Sequence, residues 1–136
     1  MAVLETRAVA RDVGLGTAYE RWAIYGLVAR WGESARTALE GPIDGMAGMP
    51  GLHLLPLARR GCAVTVAHPD AEALARVEAI YRRAGAAGRL VLEHTADVPV
   101  GPYDLVFGFN FLGDRWRDHL DALAAAATRD LVVLAP

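Results

Sequence analysis

No lysine occurs in these 136 residues, so all fourteen basic side chains are arginine. That absence excludes a Schiff-base lysine and the phosphate-gripping lysine of a P-loop. Serine occurs once, at Ser34, outside any G-x-S-x-G, which excludes the nucleophile elbow of a serine hydrolase. The one cysteine, Cys62, has no partner for an intrachain disulfide and cannot build a Cys-rich zinc site. His53, His94 and His119 show neither H-x-x-x-H nor H-E-x-x-H spacing, so no metal is expected. No stretch approaches the roughly 18 uncharged apolar residues of a spanning helix. Glu5, Arg7, Arg11 and Asp12 interrupt the start before the apolar core of a signal peptide could form. The expectation is a cytoplasmic, reducing location without a membrane. A formal net charge of -2 offers nothing to nucleic acid either.

What remains is the balance of a globular domain: 54% hydrophobic and 22% charged residues in a length suited to one core. Residues 1–16 have weak periodicity and end in Gly14-Leu15-Gly16, which reads as an arm. Thr17 is placed to cap a helix to about Trp31, with Trp22, Tyr25, Val28 and Ala29 on its inner face. Residues 1–35 then form an arm and helix ahead of an alternating region, 36–136. Strands are expected at 36–40, 62–67, 90–95, 103–109 and 131–135. Helices are expected at 51–60, kinked or with a short first turn at Pro56, across Leu74, Val77, Ile80, Tyr81 and Ala84, and at 114–128. In the last of these, Trp116, Leu120, Leu123 and Ala127 should face inward. Apolar strands alternating with helices predict an α/β fold: a doubly wound, mainly parallel, Rossmann-like sheet of about five strands behind an N-terminal helical arm.

Such sheets bind ligands at the carboxyl edge, beside the first strand. The loop there, residues 40–51, carries Glu40, Gly41, Asp44, Gly45, Gly48 and Gly51. Its glycines suit a close backbone approach to a ligand, or simply a strand-to-helix turn. After the second strand, His68 could bond a ribose hydroxyl or help start the next helix, where Asp70 is itself a good N-cap. After the third strand, Asp97 could accept from an exocyclic amine or be an exposed loop aspartate. After the fourth, Asn110, the one asparagine, lies between Phe109 and Phe111, suited to stacking plus one hydrogen bond or to a turn.

Taken together, Ala38-Leu39-Glu40-Gly41 with its glycine loop, Val64-Thr65-Val66-Ala67-His68 with Glu72-Ala73-Leu74, and Tyr103-Asp104-Leu105-Val106 leading to Asn110 resemble the class I S-adenosylmethionine-dependent methyltransferases. The resemblance covers about residues 36–136. It implies that Glu40 or Asp44, with Gly45, Gly48 and Gly51, holds the methionine part of S-adenosylmethionine. It further implies that His68 holds the ribose and Asp97 the adenine. The sequence departs from the family in a longer loop after Glu40, in His68 where the family has Asp or Glu, and in stopping after the fifth of seven strands. Either a partner chain or second copy covers residues 131–135, from Leu131 to Ala135, or the chain is part of a longer protein. Asn110-Phe111-Leu112-Gly113 does not match the motif of base-amino methyltransferases, which directs the expectation to a small-molecule or protein acceptor.

The competing readings are a non-catalytic nucleotide-binding or interaction subunit of the same fold, and an NAD(P)-binding oxidoreductase. The latter calls for G-x-G-x-x-G and an acid directly after the second strand, and the chain has neither. Acids at Glu40 and Asp44 would repel a pyrophosphate and suit a cationic, amino-acid-bearing ligand.

Overall fold

The computed structural model describes residues 18–42, 50–109 and 114–134. The arm before residue 18, the Thr17 cap and the site candidates Asp44, Gly45, Gly48 and Asn110 lie outside the described residues, as does Ala135.

Among the described residues, five strands form one sheet: β1 (Thr37–Glu40), β2 (Ala63–His68), β3 (Leu90–His94), β4 (Tyr103–Phe109) and β5 (Ala127–Leu134). Their order is β3-β2-β1-β4-β5 and every pairing is parallel. Helix α1 (Ala18–Trp31) precedes β1; α2 (Leu55–Arg59), α3 (Ala71–Arg83) and α4 (Trp116–Ala126) form the crossovers to β2, β3 and β5. The chain winds outward from β1 through β2 to β3, then returns to β4 on the other side. The switch point therefore lies between β1 and β4, where a doubly wound sheet opens a crevice.

Alternation along the strands divides the core. Ala38, Val64, Val66, Leu105 and Phe107 face α1, α2 and α3 and pack with Val28, Leu57, Val77 and Tyr81. Leu39, Ala67 and Val106 face the other way and pack under Leu123 and Ala126 of α4. A strand buried on both faces has no place for a polar alternation, which is why these segments read as apolar runs. At the amino edge, the Asp104 carboxylate accepts from the backbone of Arg36 (2.7 Å) and Thr37 (3.3 Å), and the Asp104 N–H donates to the Thr37 hydroxyl (3.0 Å). These bonds, the Arg36 one first, hold the Asp104 carboxyl below its ordinary pKa. Asp104 thus fastens β4 to β1 and serves the fold.

Helix α3 is the element most plainly dictated by sequence. Ala73, Leu74, Val77 and Tyr81 make its buried stripe. Asp70 caps it by accepting from the Glu72 N–H at 2.8 Å. Gly85, at φ +72°, ends it in a Schellman turn: Ala86 N–H donates to the Tyr81 carbonyl at 2.8 Å and Gly85 N–H to that of Arg82 at 3.1 Å. Asp70→Ala is expected to cost about 1 kcal/mol; an unchanged urea midpoint would contradict the cap.

Several expectations are corrected. Ala127 and Thr128 belong to β5 rather than to the preceding helix, because Tyr103 pairs with Ala127 and the ladder overrides the helix propensity of the alanine run. Trp22 and Trp116 do not face inward: they are 55% and 41% exposed, and Arg117 stacks its guanidinium on Trp116. Helix α1 buries Val28 instead, with Ile24 beside it. Cys62 precedes β2. The helix expected over 51–60 starts only at Leu55, after a 3-10 turn over Leu52–Leu54; Pro56 falls in its first turn, one of the two placements expected for it, where its missing N–H costs no bond.

Candidate functional site

Strand β1 is the shortest of the five and sits in their middle. Its last residue, Glu40, lies opposite Val66 and Phe107, whereas β2 continues through Ala67 to His68 and β4 through Gly108 to Phe109. At the carboxyl edge β1 therefore ends two residues short of both neighbours, a notch in strand length at Glu40 and Gly41. The Gly41 N–H extends the ladder by donating to the Phe107 carbonyl at 3.0 Å.

Glu40 follows the strand alternation onto the face of α3, where it is 1% exposed. A carboxylate cannot stay there without strong hydrogen bonding. It accepts the N–H of Gly51 at 2.8 Å, closing the loop that begins at Gly41. The next carbonyl, that of Gly51, accepts the hydroxyl of Tyr81 at 2.6 Å. Burial, then the nearby Glu40 charge, pushes the Tyr81 phenol well above its ordinary 10.0, so it stays a donor. His53, two residues past Gly51, is buried with its ring 5.2 Å from that of Phe107, tilted by 46°.

Gly51 stands at φ +79°, and an added Cβ would lie 3.0 Å from Val77 Cγ1 and 3.1 Å from Val66 Cγ2. At Gly41 a Cβ would run into Leu123 Cδ2. Gly51 is therefore favoured by its left-handed backbone and its close neighbours, and at Gly41 Leu123 would have to move aside, whether or not a ligand also approaches them. The Gly51 N–H is moreover committed to Glu40, and α2 behind the loop is only five residues long. The Gly51 amide is thus not open to a phosphate, and so short a helix offers little dipole to hold one.

Further along the edge, His68 accepts the Asp70 N–H on Nδ1 at 3.0 Å, leaving Nε2 to carry the ring proton. Burial lowers its pKa from the ordinary 6.5, Asp70 opposes this, and Arg76 adds to it. The His68 carbonyl accepts the Thr95 N–H at 3.1 Å, drawing the end of β3 alongside. His94 bonds the Pro69 carbonyl through Nε2 at 2.9 Å. Asp97 is exposed, its own N–H turned back to the Thr95 hydroxyl at 3.0 Å. A lowered histidine pKa means protonation destabilises the fold: the contribution is whole above about pH 6.5 and is lost as pH falls toward the folded value. His68→Asn is expected to flatten thermal stability between pH 7.5 and roughly 5.5, relative to the parent protein. Parallel profiles would contradict this.

The structure thus brings Glu40, Gly41, Gly51, His68 and Asp97 to one sheet edge, in the order of the strands that carry them. Solved structures share this fold. Coclaurine N-methyltransferase, bound to N-methylheliamine and SAH, superposes with a TM-score of 0.64 at 15% identity over 88% of the chain. A SAM-dependent O-methyltransferase from Thermotoga maritima gives 0.65 at 12% identity over 92% of the chain. The O-methyltransferase TomG from Streptomyces achromogenes, in complex with SAM, gives 0.65 at 18% over 98%. The chain has the SAM-dependent methyltransferase fold. It spans 37%, 46% and 62% of the lengths of those three chains. No protein-family model matches the sequence, and no curated protein matches it.

Within this methyltransferase fold, two buried polar residues at the edge were not singled out by sequence. Tyr81 lies in the apolar stripe of α3, and its only signal is a hydroxyl where an aliphatic side chain would fill the stripe. His53 lacks any motif; its one sign is its place directly behind the glycine loop. Among the described residues no cluster of three or more His, Cys, Asp or Glu side chains is suited to a metal ion.

Proposed function

We propose that this chain is the cofactor-binding part of an S-adenosylmethionine-dependent methyltransferase acting on a small-molecule or protein acceptor. The observation that carries the reading is the buried Glu40 carboxylate at the notch, bonded to the Gly51 amide. It places negative charge where a dinucleotide would need its pyrophosphate, and where a sulfonium-bearing amino acid gains from it. In this reading the Glu40–Gly51 pair and Gly41 form the floor for the methionine part. His68 offers Nε2–H to a ribose hydroxyl, and the Asp97 carboxylate accepts from the adenine amine. Asp44, Gly45, Gly48 and Asn110, outside the described residues, are proposed for the same ligand on sequence alone.

When bound, the cofactor supplies a methyl group that passes to a nucleophile on the acceptor and leaves a neutral thioether. Alignment of nucleophile and methyl is the chief requirement, so no particular base is assigned. The open side of β5, with Leu131, Val132 and Leu134 half-buried on the strand, is proposed to be covered by a partner chain, a second copy or a further strand of the whole protein. A reducing, cytoplasmic setting suits the free, buried Cys62, whose thiol burial pushes up to about 11. No helix among the described residues is long and apolar enough to cross a membrane.

Isothermal titration with S-adenosylmethionine, S-adenosylhomocysteine and NAD tests the reading. Binding of the first two and not the third is expected. Binding of NAD alone, or of none, overturns it.

A further inference from the structure

The buried hydroxyl of Tyr81 has no place in an apolar helix stripe unless its bond is needed. Phenylalanine would fill the same space between α3 and the sheet without desolvating a phenol. The hydroxyl is spent on one acceptor, the carbonyl of Gly51, at 2.6 Å. The amide of the same residue is held by Glu40 at 2.8 Å. Gly51 is thus gripped on both of its polar groups, by side chains from two elements far apart in sequence. Val66 and Val77 wall its Cα closely enough that a Cβ would press on both. Tyr81 is itself fixed, because its own carbonyl closes the Schellman turn with Ala86 at 2.8 Å. This is more restraint than a strand-to-helix turn requires, and it is concentrated on the residue that ties the chain to the notch beneath β1.

We propose that Tyr81 is a positioning residue for the bound ligand: through the Gly51 carbonyl it fixes the backbone and, with it, the Glu40 carboxylate at the floor of the notch. The ligand half of this rests on the methyltransferase reading; the anchoring half does not. Without the hydroxyl, the Gly51 carbonyl keeps only the longer bond from the Leu54 N–H at 3.3 Å, and the turn that presents the Gly51 N–H to Glu40 is held less firmly. A site held loosely by about 1 Å binds markedly less well, even when every contacting residue is still present.

Tyr81→Phe keeps the ring packing and removes only the donor. Two readouts on the intact chain test the proposal. In amide hydrogen exchange, the Gly51 N–H of Tyr81→Phe is expected to exchange at least tenfold faster than in the parent, while Val64 and Val66 amides in β2 keep their rates. In titration with S-adenosylhomocysteine, the dissociation constant is expected to rise about five- to twentyfold, a change of roughly 1–2 kcal/mol. Leu131→Ala, on the far strand, serves as a control: it lowers the melting temperature without moving that constant. Unchanged Gly51 exchange overturns the anchor. Fast exchange with an unchanged dissociation constant overturns the positioning role. Loss of binding in the Leu131→Ala control to the same degree reduces the effect to general stability and also overturns it. If the parent binds neither sulfonium nor thioether, the methyltransferase reading falls and the ligand half falls with it, while exchange still decides the anchor.

Discussion

Glu40→Ala is expected to abolish measurable S-adenosylmethionine binding and to destabilise the fold by about 3 kcal/mol. The stability figure combines two costs. Removing the carboxylate leaves the Gly51 N–H buried without its 2.8 Å acceptor, worth about 1–3 kcal/mol. It also empties the space of a side chain that is 1% exposed, and a cavity of that size adds a further 1–2 kcal/mol or so. The binding loss follows from the missing charge. Glu40→Gln separates the two effects, because the amide oxygen can still accept from Gly51 while the charge is gone. It should recover most of the stability and little of the binding. Chemical denaturation and titration with S-adenosylhomocysteine on the two variants check this. If Glu40→Gln binds as tightly as the parent protein, Glu40 is a structural acceptor only.

Gly51→Ala is expected to destabilise the fold by about 2–4 kcal/mol. Alanine at φ +79° costs about 1–2 kcal/mol in backbone strain. Its Cβ would also press on Val77 and Val66 at 3.0 and 3.1 Å, inside a core where neighbours have little room to yield. A fall of roughly 10 °C in Tm corresponds to that sum for a domain of this size. Adding Val77→Ala relieves part of the steric term and none of the strain. The pair should therefore be less destabilised than the two single changes added together, and that non-additivity identifies the contact. A Gly51→Ala protein within about 0.5 kcal/mol of the parent would contradict both the conformation and the packing assigned to residue 51.

What the sequence made legible follows the range of the interactions concerned. Helix α3 with its Asp70 cap and Gly85 stop is specified locally, by period and by single residues, and stands where the pattern places it. Strand β4 is likewise a mainly apolar segment with the expected bounds, 103–109. The start of β5 was hidden because Ala127 and Thr128 continue an alanine-rich helix, and only pairing with β4 decides against it. Trp22 and Trp116 misled for a related reason. Side-chain size favours the interior on average, yet a helix buries the stripe that meets its neighbours, and in α1 that stripe runs through Ile24 and Val28.

At the site, the residue types were readable and their partners were not. Alternation along β1 puts Glu40 on the α3 face, but its acceptor role depends on a loop that returns eleven residues later. The bond from Tyr81 to Gly51 spans thirty positions, so in sequence Tyr81 is only one more member of the apolar stripe. Gly51 suggested a ligand approaching the backbone; Val66, Val77 and a left-handed φ account for it without one. His68 offered a hydroxyl contact or help to the helix start. Its Nδ1 takes the Asp70 N–H and its Nε2–H remains to donate, so the one does not preclude the other.

The central claim is that one crevice, at the carboxyl edge between β1 and its neighbours, receives S-adenosylmethionine. Amide chemical shifts recorded while S-adenosylhomocysteine is added test it most directly, because they report where the ligand sits as well as whether it binds. The expected result is saturable change at Gly41, Gly51, His68 and Asp97, with none at Arg36, Thr37 or Asp104 on the opposite edge. Shifts confined to the amino edge, or a spectrum that does not change at millimolar ligand, would contradict it.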